Sequence, residues 1–287
     1  MADFIEQLRD IVGDKGLVLH EDLQNRAAGY RHPDKTLEAR VLVRPASTDE
    51  VSKVLKLCND AGQAVVSHGG LTGLVDGNIA GADELILSME RMREIEEIDP
   101  ASSSMTVQAG VTLQTVQEAA EDAGFFFPLD LGGRGSATLG GNISTNAGGN
   151  RVVRYGMARD MVLGLEAVQA DGTVLSPLGK IVKDNAGYNL KHLFIGSEGT
   201  LGVVTRIVLR LRPMPASQQT AFLAVDEFGK LPKLLNFCNS RSGGTTSAFE
   251  VMWRNYFELV TSRPGAAQPL PNDYPYYVLT EMMGGDP

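Results

Sequence analysis

Residues 131–150 read LGGRGSATLGGNISTNAGGN. Seven glycines and four Ser or Thr hydroxyls fall in these twenty positions, and almost nothing in them can build a core. A flexible linker is one reading of so bare a stretch. A surface shaped to a bulky, phosphate-bearing ligand is the other, because glycine lets the backbone approach a ligand and leaves N–H groups free to converge on an anion. Strand-like and helical patterns abut the stretch on both sides without a charge run, which disfavours the linker. Gly140 and Gly141 leave room, while Ser136, Thr138, Asn142 and Thr145 carry neutral hydrogen-bonding groups. Arg134, Arg151 and Arg154 flank the loop with positive charge.

A second glycine cluster, HGGLTGLVDG at 68–77, follows directly on a short strand expected over Ala64 to Val66. It is not a P-loop, since no Gly-Lys-Ser/Thr follows, and it does not open a long helix as a Rossmann G-x-G-x-x-G does. Alone, it reads equally well as a plain turn. Paired with the first cluster it becomes one of two walls that can clasp a pyrophosphate or a flat ring.

The chain has 287 residues, enough for one large domain or two ordinary ones. Its net charge of −9 argues against nucleic acid or an anionic membrane surface as the main partner. Any phosphate is therefore held by local donors against the sign of the global field. Two cysteines, Cys58 and Cys238, imply a reducing compartment without a disulfide framework, and the expected location is cytoplasmic. Cys58 follows Val51, Val54 and Leu55 at helical spacing and reads as a buried structural thiol. No apolar run reaches the roughly 18 residues of a membrane span. MADFIEQLRDIVG places Phe4, Ile5, Leu8, Ile11 and Val12 on one face and reads as a docked amphipathic helix rather than a targeting peptide.

Along the chain, Val41 and Val43 alternate as a strand, and Ser47 with Glu50 forms a capping box for a helix closing near Gly62. ELILSM, EIEEIDP and SMTVQAGV read as strands, the last two as a pair. TLQTVQEAAEDAG is a helix with Leu113, Val116, Ala120 and Ala123 inward and Gly124 closing it. MVLGLEAVQADGTVLS is a hairpin turning at Asp171-Gly172, and TLGVVTRIVLRLRPMP is a strand stopped by Pro213 and Pro215. Beyond about 215 the pattern is β-α-β-α-β, ending on YYVLTEMM. Nothing follows that last strand in sequence to pair with it, so it is expected to be an exposed edge. Strands outnumber helices and the two alternate, which makes the class α+β.

PLDLGGRGSATLGGNISTNAGGNRVVRYGMARDMVLGLEAVQADGTVL followed by KDNAGYNLKHLFIGSEGTLGVV resembles the FAD-binding domain of the vanillyl-alcohol-oxidase/p-cresol-methylhydroxylase superfamily. Within it the likeness is to the branch that oxidises D-2-hydroxyacids, and it runs continuously over about residues 40–214 and weakly to the end. The resemblance implies a two-subdomain FAD-binding domain of the p-cresol-methylhydroxylase type over 1–214 (subdomains about 1–100 and 101–214). An incomplete α+β substrate cap over 215–287 follows. It further implies an FAD-dependent dehydrogenase that turns a small D-2-hydroxyacid into the 2-oxoacid by hydride transfer to flavin N5, with electrons passed on to an acceptor or carrier. A flavin-binding subunit or remnant without its own turnover stays open as the alternative, and so does a homodimeric assembly.

By the same resemblance, Gly69, Gly70, Leu71, Thr72 and Gly73, continued by Gly77 and Asn78, hold the FAD pyrophosphate through backbone N–H groups. Pro128, Leu129, Gly132, Ser136, Thr138, Gly140, Gly141, Asn142 and Thr145 form the second wall, around pyrophosphate and isoalloxazine. Glu198, Gly202, Val203 and Val204 meet the adenosine end. Relatives usually carry Asn at the position of Leu71 and Gly at that of Asp76, and covalent relatives attach flavin through a histidine where Leu71 stands. FAD is therefore expected to be non-covalent. His68 reads as a loop-packing residue and His192, in NLKHLF, as a structural histidine among apolar neighbours. Relatives continue past the equivalent of residue 287 and place there the histidines of a divalent metal and the base. No His follows His192 here, so a metal is expected only with the rest of the cap, the catalytic residues stay unnamed, and this chain is expected to bind FAD without turnover.

Overall fold

The computed structural model describes residues 2–285. Among them the chain divides into two units. The first takes in the chain up to 127 together with 132–147 and 158–212, and the second takes in 128–131, 148–157 and the chain from 213 onward.

In the first unit, helix α1 (Ala2–Val12) buries Leu8 and Val12, two members of its expected apolar face. Strand β1 (Leu17–Leu19), helix α2 (His20–Leu23), β2 (Val41–Val43), α3 (Thr48–Asp60), β3 (Val65–His68) and β4 (Leu85–Ser88) follow. The sheet order is β1-β2-β4-β3. Both neighbours of β4 run parallel to it, and all of its residues are buried, as an unbroken apolar run requires. The Ser47 side chain caps α3 by accepting from the Glu50 N–H at 3.2 Å. The Glu50 carboxylate reaches back one residue further than a capping box requires, to the Ala46 N–H at 2.7 Å. Val51, Val54, Leu55 and Cys58 form the buried face of α3, and burial pushes the Cys58 thiol up to about 12.

The second sheet of this unit begins with β5 (Ile95–Asp99) and β6 (Ser104–Gln108). Helix α4 (Leu113–Asp122), β7 (Phe125–Phe126), α5 (Leu139–Ser144) and, within the second unit, α6 (Val152–Tyr155) come next. Then come β8 (Val162–Val168), β9 (Val174–Leu175), α7 (Lys191–Phe194), β10 (Val203–Arg210) and β11 (Arg212–Pro213). The sheet order is β5-β6-β10-β8-β9, antiparallel throughout. Leu113, Val116 and Ala120 of α4 point inward as expected. Ala123 does not: it is the exposed C-cap, one position before Gly124 takes φ 78°. Glu166 on β8 is buried, and its carboxylate accepts from the hydroxyls of Thr48 (2.6 Å), Ser176 (2.7 Å) and Thr205 (2.9 Å). Burial alone would push its pKa up, but these hydroxyls and Arg206 outweigh burial and hold the carboxyl below its usual range.

The second unit contains β12 (Ser217–Val225), α8 (Lys230–Arg241), β13 (Thr246–Trp253), α9 (Arg254–Thr261) and β14 (Tyr276–Gly284), the expected β-α-β-α-β. Its strand order is β12-β14-β13. The expectation of an exposed final edge is thereby corrected. β14 pairs antiparallel with β12 from Ser217↔Gly284 to Val225↔Tyr276, and with β13 on its other side. The α8 crossover leaves β12 and β13 parallel with a one-strand gap, and the last strand fills it, a split βαβ arrangement. Tyr277, Val278 and Met283 are fully buried there, and Tyr277 stacks on Phe257 with ring centroids 3.8 Å apart.

Two of the arginines expected to bring charge to the glycine stretch are consumed in this unit. Arg151 donates from Nε and Nη2 to the Glu281 carboxylate at 3.0 and 3.2 Å. Ser247 Oγ (2.7 Å) and the Gln218 amide complete that carboxylate's shell. Arg154 donates to the carbonyls of Thr245 and Met283. Burial raises the Glu281 pKa, but these partners reverse the shift, so Glu281 stays ionised on a buried central strand.

Candidate cofactor site

β3 ends at His68 and hands the chain to the loop 69–78, while α5 carries the paired glycines 140 and 141 opposite it. Between them, within the first unit, lies a cleft that is open to solvent. The glycines of its walls do two different things. A side chain on Gly70 would fall on the Ser136 carbonyl, and one on Gly140 would lie 2.7 Å from Ala109 Cβ. One on Gly69 would lie 2.7 Å from Thr138 Oγ1. These three let backbone pack on backbone. By contrast, Gly73 has nothing within 4 Å of its missing side chain, and Gly141 has only its own capping residue Thr138 closer than 3.9 Å. Gly73 faces free space, and at Gly141 the Thr138 hydroxyl, 3.2 Å away, would have to give way.

Among the residues lining the cleft there is no lysine or arginine, and the ionisable carboxylate is Glu198. Among the described residues no acceptor is bonded to the backbone N–H groups of Gly70, Leu71, Thr72 or Gly73. Leu71 itself sits at φ 55°, a left-handed conformation unusual for leucine. Successive unpaired N–H groups in such a turn make a concave site for an anion. On the facing wall Asn142 is 95% buried, yet its side-chain Nδ2 has no partner. A buried donor without an acceptor costs about 1–3 kcal/mol, and this one belongs to a residue that lines the cleft.

Most of the expected site residues meet here. The first wall contains Gly69, Gly70, Leu71, Thr72, Gly73, Gly77 and Asn78, and the second Thr138, Gly140, Gly141, Asn142 and Thr145. Glu198, Val203 and Val204 line the end of the same cleft. Five expected residues are placed otherwise. Pro128 and Leu129 are buried in the second unit. Gly132 and Ser136 are exposed, and Ser136 serves through the carbonyl on which Gly70 packs. Gly202 has β8 at its back, since a side chain there would lie 2.7 Å from the Val168 carbonyl. It lines a second cavity, with Cys58 and Gln63, that shares Ser67, Gly199 and Val203 with the cleft.

Sequence reasoning missed Ser67, Ser144 and Gly199 as lining residues. The sequence shows only that Gly199 follows Glu198; the structure adds that both take positive φ, 79° and 52°, and that a side chain on Gly199 would strike Ser67 Oγ. His68 packs as expected, buried with its Nε2 2.7 Å from the Asn78 carbonyl, and burial holds its pKa below the usual imidazole range. His192 departs from expectation. It is exposed, and its Nδ1 accepts from Arg159 Nη1 at 3.0 Å; the partial burial of its ring and the charges of Lys191 and Arg159 lower its pKa. Among the described residues no group of three or more His, Cys, Asp or Glu side chains could hold a metal ion, and no helix is long and apolar enough to cross a membrane.

Residues 39–176, which contribute both glycine walls, match the FAD binding domain family. This segment belongs to that family. The fold agrees over nearly the whole chain. Alkyldihydroxyacetonephosphate synthase superposes on 99% of it with a TM-score of 0.83 at 18% identity, covering 56% of that protein. p-Cresol methylhydroxylase superposes on 99% with a TM-score of 0.73 at 17% identity, covering 60% of that protein. The FAD-binding fold is thus of the p-cresol-methylhydroxylase type. Among curated relatives, the mitochondrial D-2-hydroxyglutarate dehydrogenase of Bos taurus is 43% identical over 87% of this chain and 46% of its own length. That of Arabidopsis thaliana is 39% identical over 98% of this chain and 51% of its own length. The chain therefore spans about half the length of the curated relatives it matches.

The mitochondrial names of these relatives overturn the expected cytoplasmic location. Two buried cysteines without a disulfide do not distinguish one compartment from another. Within the matched segment the cleft brings together uncommitted backbone donors at 70–73, glycines at close approach, and the residue with the unpaired amide, Asn142.

Proposed function

We propose that this chain provides the FAD cradle of a dehydrogenase for small D-2-hydroxyacids, with D-2-hydroxyglutarate the first substrate to test. The observation that carries the proposal is the pairing of an uncommitted N–H run at 70–73 with the buried, unpaired Asn142 amide, inside a segment of the FAD binding domain family. The choice of substrate rests on relatives about 40% identical that are named D-2-hydroxyglutarate dehydrogenases. Since the chain spans about half their length, the oxidation is proposed for the protein that contains this cleft, and FAD retention for the chain itself.

In this reading the N–H groups of Gly70 to Gly73 hold the pyrophosphate, and Gly141 leaves the space it occupies. Asn142 donates to a cofactor oxygen from the facing wall. Glu198, Val203 and Val204 receive the adenosine, which runs toward the second cavity where Gly202 lies. When bound, FAD supplies the acceptor for the substrate hydride. The chain's own residues orient that group and screen it from water. Leu71 offers no atom for a covalent link, and the Nε2 of His68 is engaged by the Asn78 carbonyl, so the FAD is held without a covalent bond.

The test is a visible spectrum of the purified chain after incubation with FAD and gel filtration. The expected result is a retained flavin spectrum whose colour passes entirely to the supernatant on acid precipitation. A colourless protein would end the cradle reading, and flavin remaining in the pellet would end the non-covalent one. In the protein containing the cleft, anaerobic D-2-hydroxyglutarate should bleach the flavin faster than the L-enantiomer does. Equal or absent bleaching would remove the substrate assignment and leave the cradle standing.

A further inference from the structure

The segment 26–37 lies under the first wall of the cleft. It folds back on itself as a hairpin, with the Ala28 N–H donating to the Lys35 carbonyl (2.8 Å), the Leu37 N–H to that of Arg26 (3.0 Å), and a bridge pairing Ala27 with Thr36. Its base is fixed, since Ala28 and Leu37 are core residues and Arg26 is paired with Glu90. From this base three tethers reach the loop. The Tyr30 N–H donates to the Leu71 carbonyl at 2.9 Å, and the Asn78 side-chain amide donates to the Ala28 carbonyl at 2.7 Å. His32 Nε2 meets Asp76 Oδ1 at 2.8 Å. Two of the tethers fix the ends of the stretch 71–78, and the third fixes its outer part. The stretch starts at Leu71, whose left-handed backbone would relax if released, and relaxation would scatter the N–H groups of 70–73.

We propose that the 26–37 hairpin is the positioning element of the cofactor loop, and that His32 and Asp76 are its latch. This rests on the FAD reading above. The His32–Asp76 tether is the one made by side chains at both ends. Asp76 accepts from His32, and that bond, with the further pull of Arg31 and Lys35 on the same hairpin, keeps its carboxyl below the usual range. Both partners are partly exposed, so the effect of the latch is small, about two- to fivefold.

The experiment measures the rate at which FAD leaves the 287-residue chain for wild type, Asp76→Ala, His32→Ala, the double variant and Asp76→Glu. Each single alanine variant should lose FAD about two- to fivefold faster than wild type. The double variant should be no faster than either single one, and Asp76→Glu should recover part of the difference. Equal rates in wild type and both single variants would overturn the latch while leaving the cradle intact. A wild-type chain that takes up no FAD would overturn the cradle. The latch would then be read directly from amide exchange over residues 70–78 of the FAD-free chain, corrected for intrinsic rates. Greater protection in wild type than in Asp76→Ala supports it, and equal protection removes it.

Discussion

Glu281, on the central strand of the second unit, is buried and accepts from Arg151, Ser247 and Gln218. Asn142, in the wall of the first unit's cleft, is at least as buried (5% exposed against 7%), and its side-chain amide nitrogen has no acceptor at all. The contrast lies between a structural position and a cleft rather than between the two units, because Glu166 in the first unit is saturated in the same way by three hydroxyls. Folded chains pair nearly all their buried polar groups, so a group left unpaired at a cleft, beside a run of uncommitted N–H groups, points to something bound. Arg44 Nε is the other buried side-chain nitrogen without a partner among the described residues, but its guanidinium is otherwise bonded to Glu90 and the Lys15 carbonyl. It is therefore the place of Asn142 in the cleft wall that gives its missing partner a meaning.

The comparison can be broken first at its saturated end. Glu281→Ala leaves the Arg151 guanidinium buried without its carboxylate, and removing one partner of such a pair costs about 3–5 kcal/mol. Urea unfolding followed by the fluorescence of Trp253, the chain's single tryptophan, should show a loss of that size with the transition at Trp253 shifted to lower urea. A loss below about 1 kcal/mol, the worth of an exposed pair, would mean that the network is not structural.

The two kinds of wall glycine sharpen the comparison at intermediate size. Gly70→Ala drives a methyl group into the Ser136 carbonyl and should cost about 1–3 kcal/mol of stability whether or not FAD is present. Gly73→Val points into open space, with nothing within 4 Å of the added Cβ. Its stability should change by less than about 1 kcal/mol while FAD affinity falls about tenfold or more. Differential scanning of both variants, beside FAD titration of Gly73→Val, reads the separation. If Gly73→Val destabilises the chain as much as Gly70→Ala does, the division of the glycines is wrong.

How much of this was legible in the sequence follows from the range of each interaction. The Ser47 cap, the turn at Asp171-Gly172 and the β-α-β-α-β order beyond about 215 depend on neighbours a few residues away, and the pattern of residues shows them. The glycine walls were legible because close approach needs glycine wherever it occurs. Which glycine packs and which leaves room was not legible, since the answer for Gly70 lies at Ser136 and that for Gly140 at Ala109. Arg151 and Arg154 looked like ligand charges because their partners lie about 130 residues further on. The final strand looked like an edge because strand order is set by the crossover, not by position in the chain. Asn142 was picked out as a hydrogen-bonding residue, but only the surrounding packing shows that its amide is left unpaired.

The smallest expected effect concerns Cys58, which belongs to the saturated, fold-holding side although the second cavity touches it. Burial raises its pKa to about 12, and the thiolate is the reactive form, so at pH 8 the native chain should resist iodoacetamide at this position while the urea-unfolded chain is alkylated. Mass mapping of the labelled cysteine is the check. Rapid native labelling would place Cys58 on the ligand side of the comparison.

The central claim is that the unpaired Asn142 amide is kept for a ligand at a cost to the empty fold, and its most direct test is a stability measurement on Asn142→Leu with and without saturating FAD. Leucine matches asparagine in shape and has no donor to leave unpaired. Without FAD the variant should therefore be more stable than wild type, by about 1 kcal/mol. With FAD, wild type should gain the larger increment, and the gap should close or reverse. A variant that is less stable than wild type when empty, and that gains as much from FAD as wild type does, would contradict the account.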